Sequence, residues 1–342
     1  MPDSIELKIG WNCEYSFTKW KSYNIESDIY QAADAFTFEL VPEGDFKIKG
    51  LMRAELYING ELELTGLIDN PKKGYDINGD YISVTGRDTV GLIVDSCCEQ
   101  FVTLQNSNLK KAAEKLLSKV SFVKLKNIEY DDAAQKRDTN KPYIQIDPGS
   151  KIFDVLKDLA VSRGLVFYSR ADGTLVFRKP RGRGRCRYQI IRKADIPNDL
   201  IIKAEYSENY GERYSKYTVV SQEQGQDSTE PAQINSSFTA PDNEFPKSVY
   251  KPFVESVNDE KTTPQTRANM LLEQRRAMSD TVTYKVKGHS FGQWNWAVDE
   301  LVRVDDERLD IHKEMLVYAR TFSGNSEGQF TDLKLGTPGL LA

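Results

Sequence analysis

Residues 5–99 are rich in short runs whose apolar side chains fall at every second position, closed by glycine or by asparagine–glycine. Ile5, Leu7, Ile9 and Trp11 alternate with polar residues, and Phe36, Phe38 and Leu40 repeat the pattern in AFTFEL. A period of two puts one face of an extended segment in a core and the other in water, so helices are a poor fit here. Residues 54–68, AELYINGELELTGLI, read as a hairpin, because Asn59-Gly60 accepts the positive φ that two-residue hairpin turns require. Pro42-Glu43-Gly44-Asp45 and the Asp76-Ile77-Asn78-Gly79-Asp80 segment carry turn chemistry. The stretch 66–98, GLIDNPKKGYDINGDYISVTGRDTVGLIVDSCC, then reads as a strand leaving a kink at Gly66, a turn, and a second strand. Gly86-Arg87-Asp88 opens a short apolar segment ending at Asp95. Five or six antiparallel strands in about 95 residues suit a small barrel or split sheet.

The period then changes. Leu109, Ala112, Ala113, Leu116, Leu117 and Val120 lie at helical spacing, with Asn106 or Ser107 placed to cap the start. YDDAAQKRDTNKP reads as a loop. PYIQIDPGSKIFDVLKDLAVSRGLVFYSRADGTLVFRKP reads as a strand, a turn, a helix over 150–162 stopped by Gly164, and a hairpin across Ala171-Asp172-Gly173. Strands return in 199–220. Residues 221–266 are polar and proline-punctuated, which predicts a long loop or an inserted segment with little core of its own. A helix over 266–278 precedes four more strands, in TVTYKVKGH, ELVRVDD, EMLVYARTFS and QFTDLKLG. No internal repeat of constant period is visible, although both ends of the chain are rich in strands.

The fold class read from this order is α+β, mainly β, with two small β-barrels flanking an α/β module. Residues 1–99 form the first barrel and 100–180 the module. Residues 181–222 with 279–342 form the second barrel, and 223–278 are an insertion carrying a helix. The 342 residues suffice for two or three cores. A formal net charge of -5 gives no global attraction to nucleic acid. No run of about 18 apolar residues occurs, and residues 1–10 lack the basic-then-apolar order of a signal peptide. Cys13, Cys97, Cys98 and Cys186 have no C-x-x-C spacing and are expected as free thiols.

The constellations that carry chemistry are thin. His289 and His312 are the only histidines, which excludes mechanisms needing several, and neither has a cysteine or second histidine at ligand spacing. Asp305, Asp306 and Asp310 near His312 read as an Asp-rich turn. The pairs Asp131-Asp132, Asp305-Asp306 and Glu61/Glu63 read as solvated acids in turns or on exposed strands, not as a glycosidase pair. G-x-S-x-G and a P-loop are absent. No catalytic, cofactor or metal residue is therefore assigned. Residues 178–193 hold eight basic residues and no acid, with Arg181, Arg183, Arg185 and Arg187 at alternate positions. Only Tyr188 interrupts them as an aromatic, so a solvated linker, or a loop facing an acidic patch on a neighbouring subunit, fits better than a nucleic-acid arm. Trp11, Trp20, Trp294 and Trp296 read as core or subunit-interface residues, and the last two share a face only in an extended segment.

Three ordered stretches carry a resemblance: 66–98, the central 142–180 segment, and the C-terminal run TRANMLLEQRRAMSD–TVTYKVKGH–Trp294-Asn295-Trp296–ELVRVDD–EMLV–QFTDLKLG with Pro338. Together they resemble the Mu-type phage baseplate hub family, which is also similar to late control protein D of P2-type phages. The resemblance implies two tube-type barrels per chain, a homotrimer, and a ring of six similar barrels matching a sixfold tail tube above and a threefold spike below. It implies a structural, non-enzymatic subunit of a contractile phage, prophage or tailocin tail, in the virion baseplate and in host cytoplasm during assembly. Implied partners are further copies of itself, a tail tube or adaptor protein, the central spike and other baseplate proteins, with DNA met only through the lumen. The candidate structural or interface residues are Gly86, Arg87 and Asp88 at the end of the first barrel, and Trp294, Trp296, Asp305 and Asp306 in the second. Two other classes compete: a tail-associated peptidoglycan hydrolase using buried carboxylates, and a carbohydrate-binding β-module with tryptophan platforms.

Overall fold

A computed structural model describes residues 2–41, 47–77, 79–120, 128–138, 140–179, 181–182, 184–195, 200–223, 233–257 and 264–338. The turn expected at Pro42–Asp45, the Asn78 corner of the next turn and Arg183 lie outside the described residues.

The chain opens with β1 (Ile5–Ile9), β2 (Tyr15–Phe17), β3 (Trp20–Asp28), β4 (Ala35–Leu40), β5 (Arg53–Ile58), β6 (Glu61–Asp76) and β7 (Gly79–Asp88). The period-two residues all face inward: Ile5, Leu7, Ile9, Phe36, Phe38, Leu40, Ala54, Leu56 and Ile58 are buried. Trp11 does not continue β1. Gly10 and Cys13 take positive φ and turn the chain there, which leaves Trp11 mostly exposed. Asn59 and Gly60 take positive φ in the β5–β6 turn, as their sequence requires.

The middle of the chain forms α1 (Thr89–Asp95), β8 (Val102–Ser107), α2 (Leu109–Leu117), β9 (Ile128–Tyr130), α3 (Asp132–Arg137), β10 (Lys141–Ile146), α4 (Ile152–Val161), β11 (Val166–Ser169) and β12 (Leu175–Arg178). Its own core gathers Val90, Ile93, Leu109, Leu117, Leu156, Phe167 and Phe177. The α2 cap is Asn108, whose side chain accepts from the Lys111 N–H, and not Asn106 or Ser107, which belong to β8. The expected loop at 130–142 contains a helix, because Asp131 caps α3 by accepting from the Ala134 N–H.

Next come β13 (Tyr188–Arg192) and β14 (Ile201–Glu208), then β15 (Lys216–Glu223), β16 (Gln233–Pro241), β17 (Pro252–Val257) and α5 (Pro264–Ser279). The last three strands pair in the order β16–β15–β17, and α5 covers them. Tyr217, Val219, Ala240, Ala268 and Leu271 form their core. The described part of 221–266 thus holds the strands β16 and β17 joined by the turns of 242–251, and Ala240 of β16 is buried against the helix that follows. The chain ends with β18 (Asp280–Lys287), β19 (Ser290–Phe291), β20 (Trp294–Asn295), β21 (Glu300–Asp306), β22 (Ile311–Asn325) and β23 (Gly328–Gly336).

The strands of the two ends join in one sheet, in the order β14–β18–β23–β22–β3–β4–β7–β6–β5–β1–β2, with β13 and β21 continuing from β22. This order contains a repeat that the sequence hides. The first unit runs β3–β4–β7–β6–β5–β1, and the second runs β14–β18–β23–β22–β21–β13. Position by position, the neighbours pair antiparallel in both, except that β1·β5 is antiparallel and β13·β21 parallel. Irregularities recur at matching places. The register shifts after Trp20 in β3 and after Ile201 in β14, and again at Ile68–Asn70 in β6 and Val317–Ala319 in β22. Gly79 and Gly328 both take positive φ where the two long hairpins turn. The units meet where β22 pairs with β3, and their inward side chains form a single core from Leu7 and Phe38 to Tyr284, Trp296 and Phe322.

Candidate functional site

Gly86, Arg87 and Asp88 close the first unit, and each has a different task. Gly86 faces Phe36 and Ile68 on its two neighbours, and a Cβ there would overlap the Leu67 carbonyl and the Phe36 ring. Arg87 points outward and bridges two carboxylates. Its Nε and Nη2 donate to Asp69 at 2.6 and 3.2 Å, and its Nη1 and Nη2 to Asp95 at 3.2 and 2.5 Å. These bonds, Asp69's first, hold the guanidinium above its ordinary range, and the bond from Arg87 holds Asp95 below the usual carboxylate range. The double fork staples β6 to the far end of α1.

Asp88 is buried and caps α1, accepting from the Val90 and Gly91 N–H groups at 3.0 and 3.3 Å and from the Ser169 hydroxyl. Its backbone N–H donates to the carbonyl of Asp34 at 2.9 Å. Burial first, and then the charge of Asp34, push the Asp88 carboxyl up, and burial pushes Asp34 up as well. Near them Arg320 of β22 is buried and paired with Glu63 of β6. Burial raises Glu63 against the pull of Arg320. Glu63 is therefore not a solvated strand acid: it crosses the joint between the units, where Arg320 also lies over the Phe322 ring at 3.9 Å.

The second group of candidates separates. Trp294 is 41 % exposed with the Arg187 guanidinium 4.6 Å from its ring centroid, whereas Trp296 is fully buried against Tyr188 at 4.5 Å. The two do not share a face, because β20 ends at Asn295. Asn295 reaches back to the first unit, donating to the Ile58 carbonyl at 3.0 Å. Asp305 is at the surface, 2.9 Å from Lys193 and 2.6 Å from His312, and Lys193 first and His312 second hold it below its ordinary range. Asp306 is buried; it accepts from Tyr284 at 2.9 Å and from the Arg308 and Leu309 N–H groups at 2.9 and 3.2 Å, fixing the turn into β22. The seven candidates thus occupy three separate neighbourhoods.

Sequence reasoning missed His289 as a tie between the units. Its Nε2 lies 2.6 Å from the Tyr23 hydroxyl and its Nδ1 3.1 Å from Thr331, and burial pushes it down to about 4. The arginine run meets acids of its own chain: Arg178 pairs with Asp299 at 3.1 Å, and Arg181 and Arg187 with Glu300 at 2.9 and 3.2 Å. Among the described residues, no group of three or more His, Cys, Asp or Glu side chains is placed to hold a metal ion. No helix of the described residues is long and apolar enough to cross a membrane.

Comparison with known proteins agrees with this arrangement. Residues 4–88, the strands β1 to β7, match the family model described as Mu phage baseplate assembly protein GpP-like, N-terminal. The baseplate hub protein gp44 of Escherichia phage Mu is 22 % identical over 318 residues, covering 89 % of this chain and 80 % of gp44. A tail protein from Neisseria meningitidis MC58 superposes with a TM-score of 0.83 at 22 % identity, covering 98 % of this chain and 97 % of its own. The 43 kDa tail protein of prophage MuSo2 from Shewanella oneidensis gives 0.79 at 23 % identity, covering 97 % and 98 %. Over most of its length the chain is thus similar to a Mu-type phage baseplate hub protein, and its first seven strands match the model of the GpP-like N-terminal domain.

Proposed function

We propose that three copies of this chain close a ring that joins the tail tube to the central spike, as the structural hub of a phage-tail baseplate. One observation carries the reading: a single chain holds two six-strand units of the same order, so a threefold assembly presents six similar units. Mechanically, the subunit matches symmetries and transmits load without a chemical step. The carboxylates support this. Asp131 caps α3, Asp305 and Asp306 hold Lys193 and Tyr284, and Glu63 holds Arg320. We take each six-strand unit as one barrel, the first ending at Asp88. The α/β module then runs from α1 to β12, and β15 to α5 form an insertion in the second barrel. The half-buried Arg87 and the exposed Trp294 are the candidates for contact with neighbours; Gly86, Asp88, Trp296 and Asp306 act by fixing the fold beneath them. Partners beyond the ring are a tail tube or adaptor protein, the spike and other baseplate proteins, after assembly in the host cytoplasm.

Light scattering over a concentration series tests the ring. The expected mass is three times the 38.9 kDa chain. A monomer at every concentration, or a dimer, contradicts it.

A further inference from the structure

Charge is spread unevenly along the chain, and one sharp excess lies in the α/β module. Residues 109–127 hold six lysines, Lys110, Lys111, Lys115, Lys119, Lys124 and Lys126, against one acid, Glu114, in a chain whose net charge is -5. Helical spacing decides where the lysines of α2 point. Leu109, Ala112, Ala113, Leu116 and Leu117 are buried in the core of the module, so every apolar side chain of α2 faces inward. The exposed side carries Lys110, Lys111, Glu114 and Lys115. Lys111 and Lys115 lie at i and i+4, and Lys119 follows one turn later, just past the Ser118 cap, so the three form one stripe.

This arrangement is unfavourable for a helix that meets only water. Like charges at i and i+4 repel. The first turn carries Lys110 and Lys111 and no acid, although the positive end of the helix dipole favours acids there. Its N–H groups are capped from below instead. The Asn108 side chain accepts from Lys111 at 3.0 Å, and the Asp138 carboxylate accepts from Leu109 and Lys110 at 2.7 and 3.0 Å. Asp138 is buried and also held by Arg163 at 2.9 Å, so the surface above it stays positive. Lys119 pairs with Glu99 at 2.8 Å, whereas Lys111 and Lys115 pair with no acid among the described residues.

We propose that the Lys111–Lys115–Lys119 stripe is a docking surface for an acidic helix of another baseplate protein. Ammonium groups one turn apart on a packed helix match carboxylates one turn apart on a second helix, and the contact relieves the repulsion within the stripe. The exposed side of α2 keeps no apolar residue to insert among acyl chains, which argues against a lipid surface. It offers neither an arginine fork for phosphate nor an aromatic plane for bases, which argues against nucleic acid. The proposal rests on the hub reading and adds to it where on the module such a partner sits and which charge it carries.

Fluorescence anisotropy with the full chain tests it. The probes are a short alanine-based helical peptide with glutamates at i, i+4 and i+8, and a DNA duplex of mixed sequence, both titrated at low salt. Lys111→Glu with Lys115→Glu is expected to weaken peptide binding by roughly tenfold or more. A peptide with lysines in place of the glutamates is expected to bind that double variant and not the wild type, which also shows that the variant is folded. Reversing two exposed lysines elsewhere, Lys247→Glu with Lys287→Glu, is expected to leave binding unchanged. Peptide binding that is absent, or that falls equally in the two double variants, overturns the proposal. Duplex bound more tightly than peptide, and lost with Lys111→Glu and Lys115→Glu, overturns the acidic helix as occupant. A wild-type chain of monomeric mass that shows the expected peptide pattern overturns the ring and keeps the stripe; a trimer that binds no peptide does the reverse.

Discussion

The residues that hold the units together are a handful of buried polar groups whose partners are far away in the chain. Arg320 reaches Glu63 across 257 positions and His289 reaches Tyr23 across 266. Nothing local in the sequence marks these four. Glu63 lies in an ordinary strand run and His289 in an ordinary turn, and their importance comes from a pairing that only the sheet creates. Asp88 was singled out only as part of the Gly86-Arg87-Asp88 run that opens a short apolar segment; the structure gives it a local task, accepting from the first N–H groups of α1. Its neighbour Asp34 was not visible. The two together predict a pH effect. The Asp88 carboxyl is pushed up to about 7 by burial and then by Asp34, against about 4 in the unfolded chain. A carboxyl that holds its proton more tightly when folded contributes stability that is fully present below the unfolded value and lost as pH rises through the folded one. Asp88→Asn keeps the capping acceptor and removes the titration. The wild-type chain is expected to lose stability relative to Asp88→Asn progressively from about pH 4 to about pH 7, the span between the unfolded and folded values, read from urea unfolding at each pH. Parallel pH profiles for the two proteins would rule the effect out, and comparing them as a difference cancels His289.

Elements were legible where one local signal decided them. The β5–β6 hairpin follows from Asn59-Gly60, α4 from its apolar spacing, and the β11–β12 turn from Gly173, which takes positive φ. They were not legible where burial comes from elsewhere. β15 and β16 owe their inward face to α5, which lies over it. The same holds for the glycines of the long β6–β7 hairpin. Gly86 reads in sequence as the opening of a short apolar segment, yet it lies within β7, where neighbouring backbone and the Phe36 ring leave no room for a Cβ. Gly66, opposite Asp88, is equally closed by the Arg87 carbonyl. Gly86→Ala therefore forces the strands apart and is expected to destabilise by roughly 1–3 kcal/mol, the usual cost of overpacking. Gly60→Ala meets open space, and only its positive φ opposes it. Chemical denaturation of the two variants checks the order: Gly60→Ala costing as much as Gly86→Ala would show that conformation and not crowding governs these positions.

At the scale of the molecule, sequence patterning gave two strand-rich ends around an α/β middle, but not the repeat that relates the ends or the sheet that fuses them. A repeat of topology without a repeat of residues is invisible to spacing: Phe38 and Tyr284 hold equivalent inward positions with different side chains. The fusion has a mechanical consequence. Two separate barrels with separate cores would unfold independently, whereas these share the β3·β22 pairing and one hydrophobic core. Phe322 sits on that seam, opposite Ile25 of the first unit and 4.5 Å from the His289 ring of the second. Phe322→Ala empties a fully buried site and is expected to cost about 3–5 kcal/mol. Hydrogen exchange locates the loss. If the seam makes the units one cooperative body, amides of β4 and β18, which lie one strand beyond β3 and β23 on opposite sides of it, lose protection together and by the same factor. Protection lost in β18 but kept in β4 would mean that each unit holds its own core, and a hub built from them would bend at the seam under load.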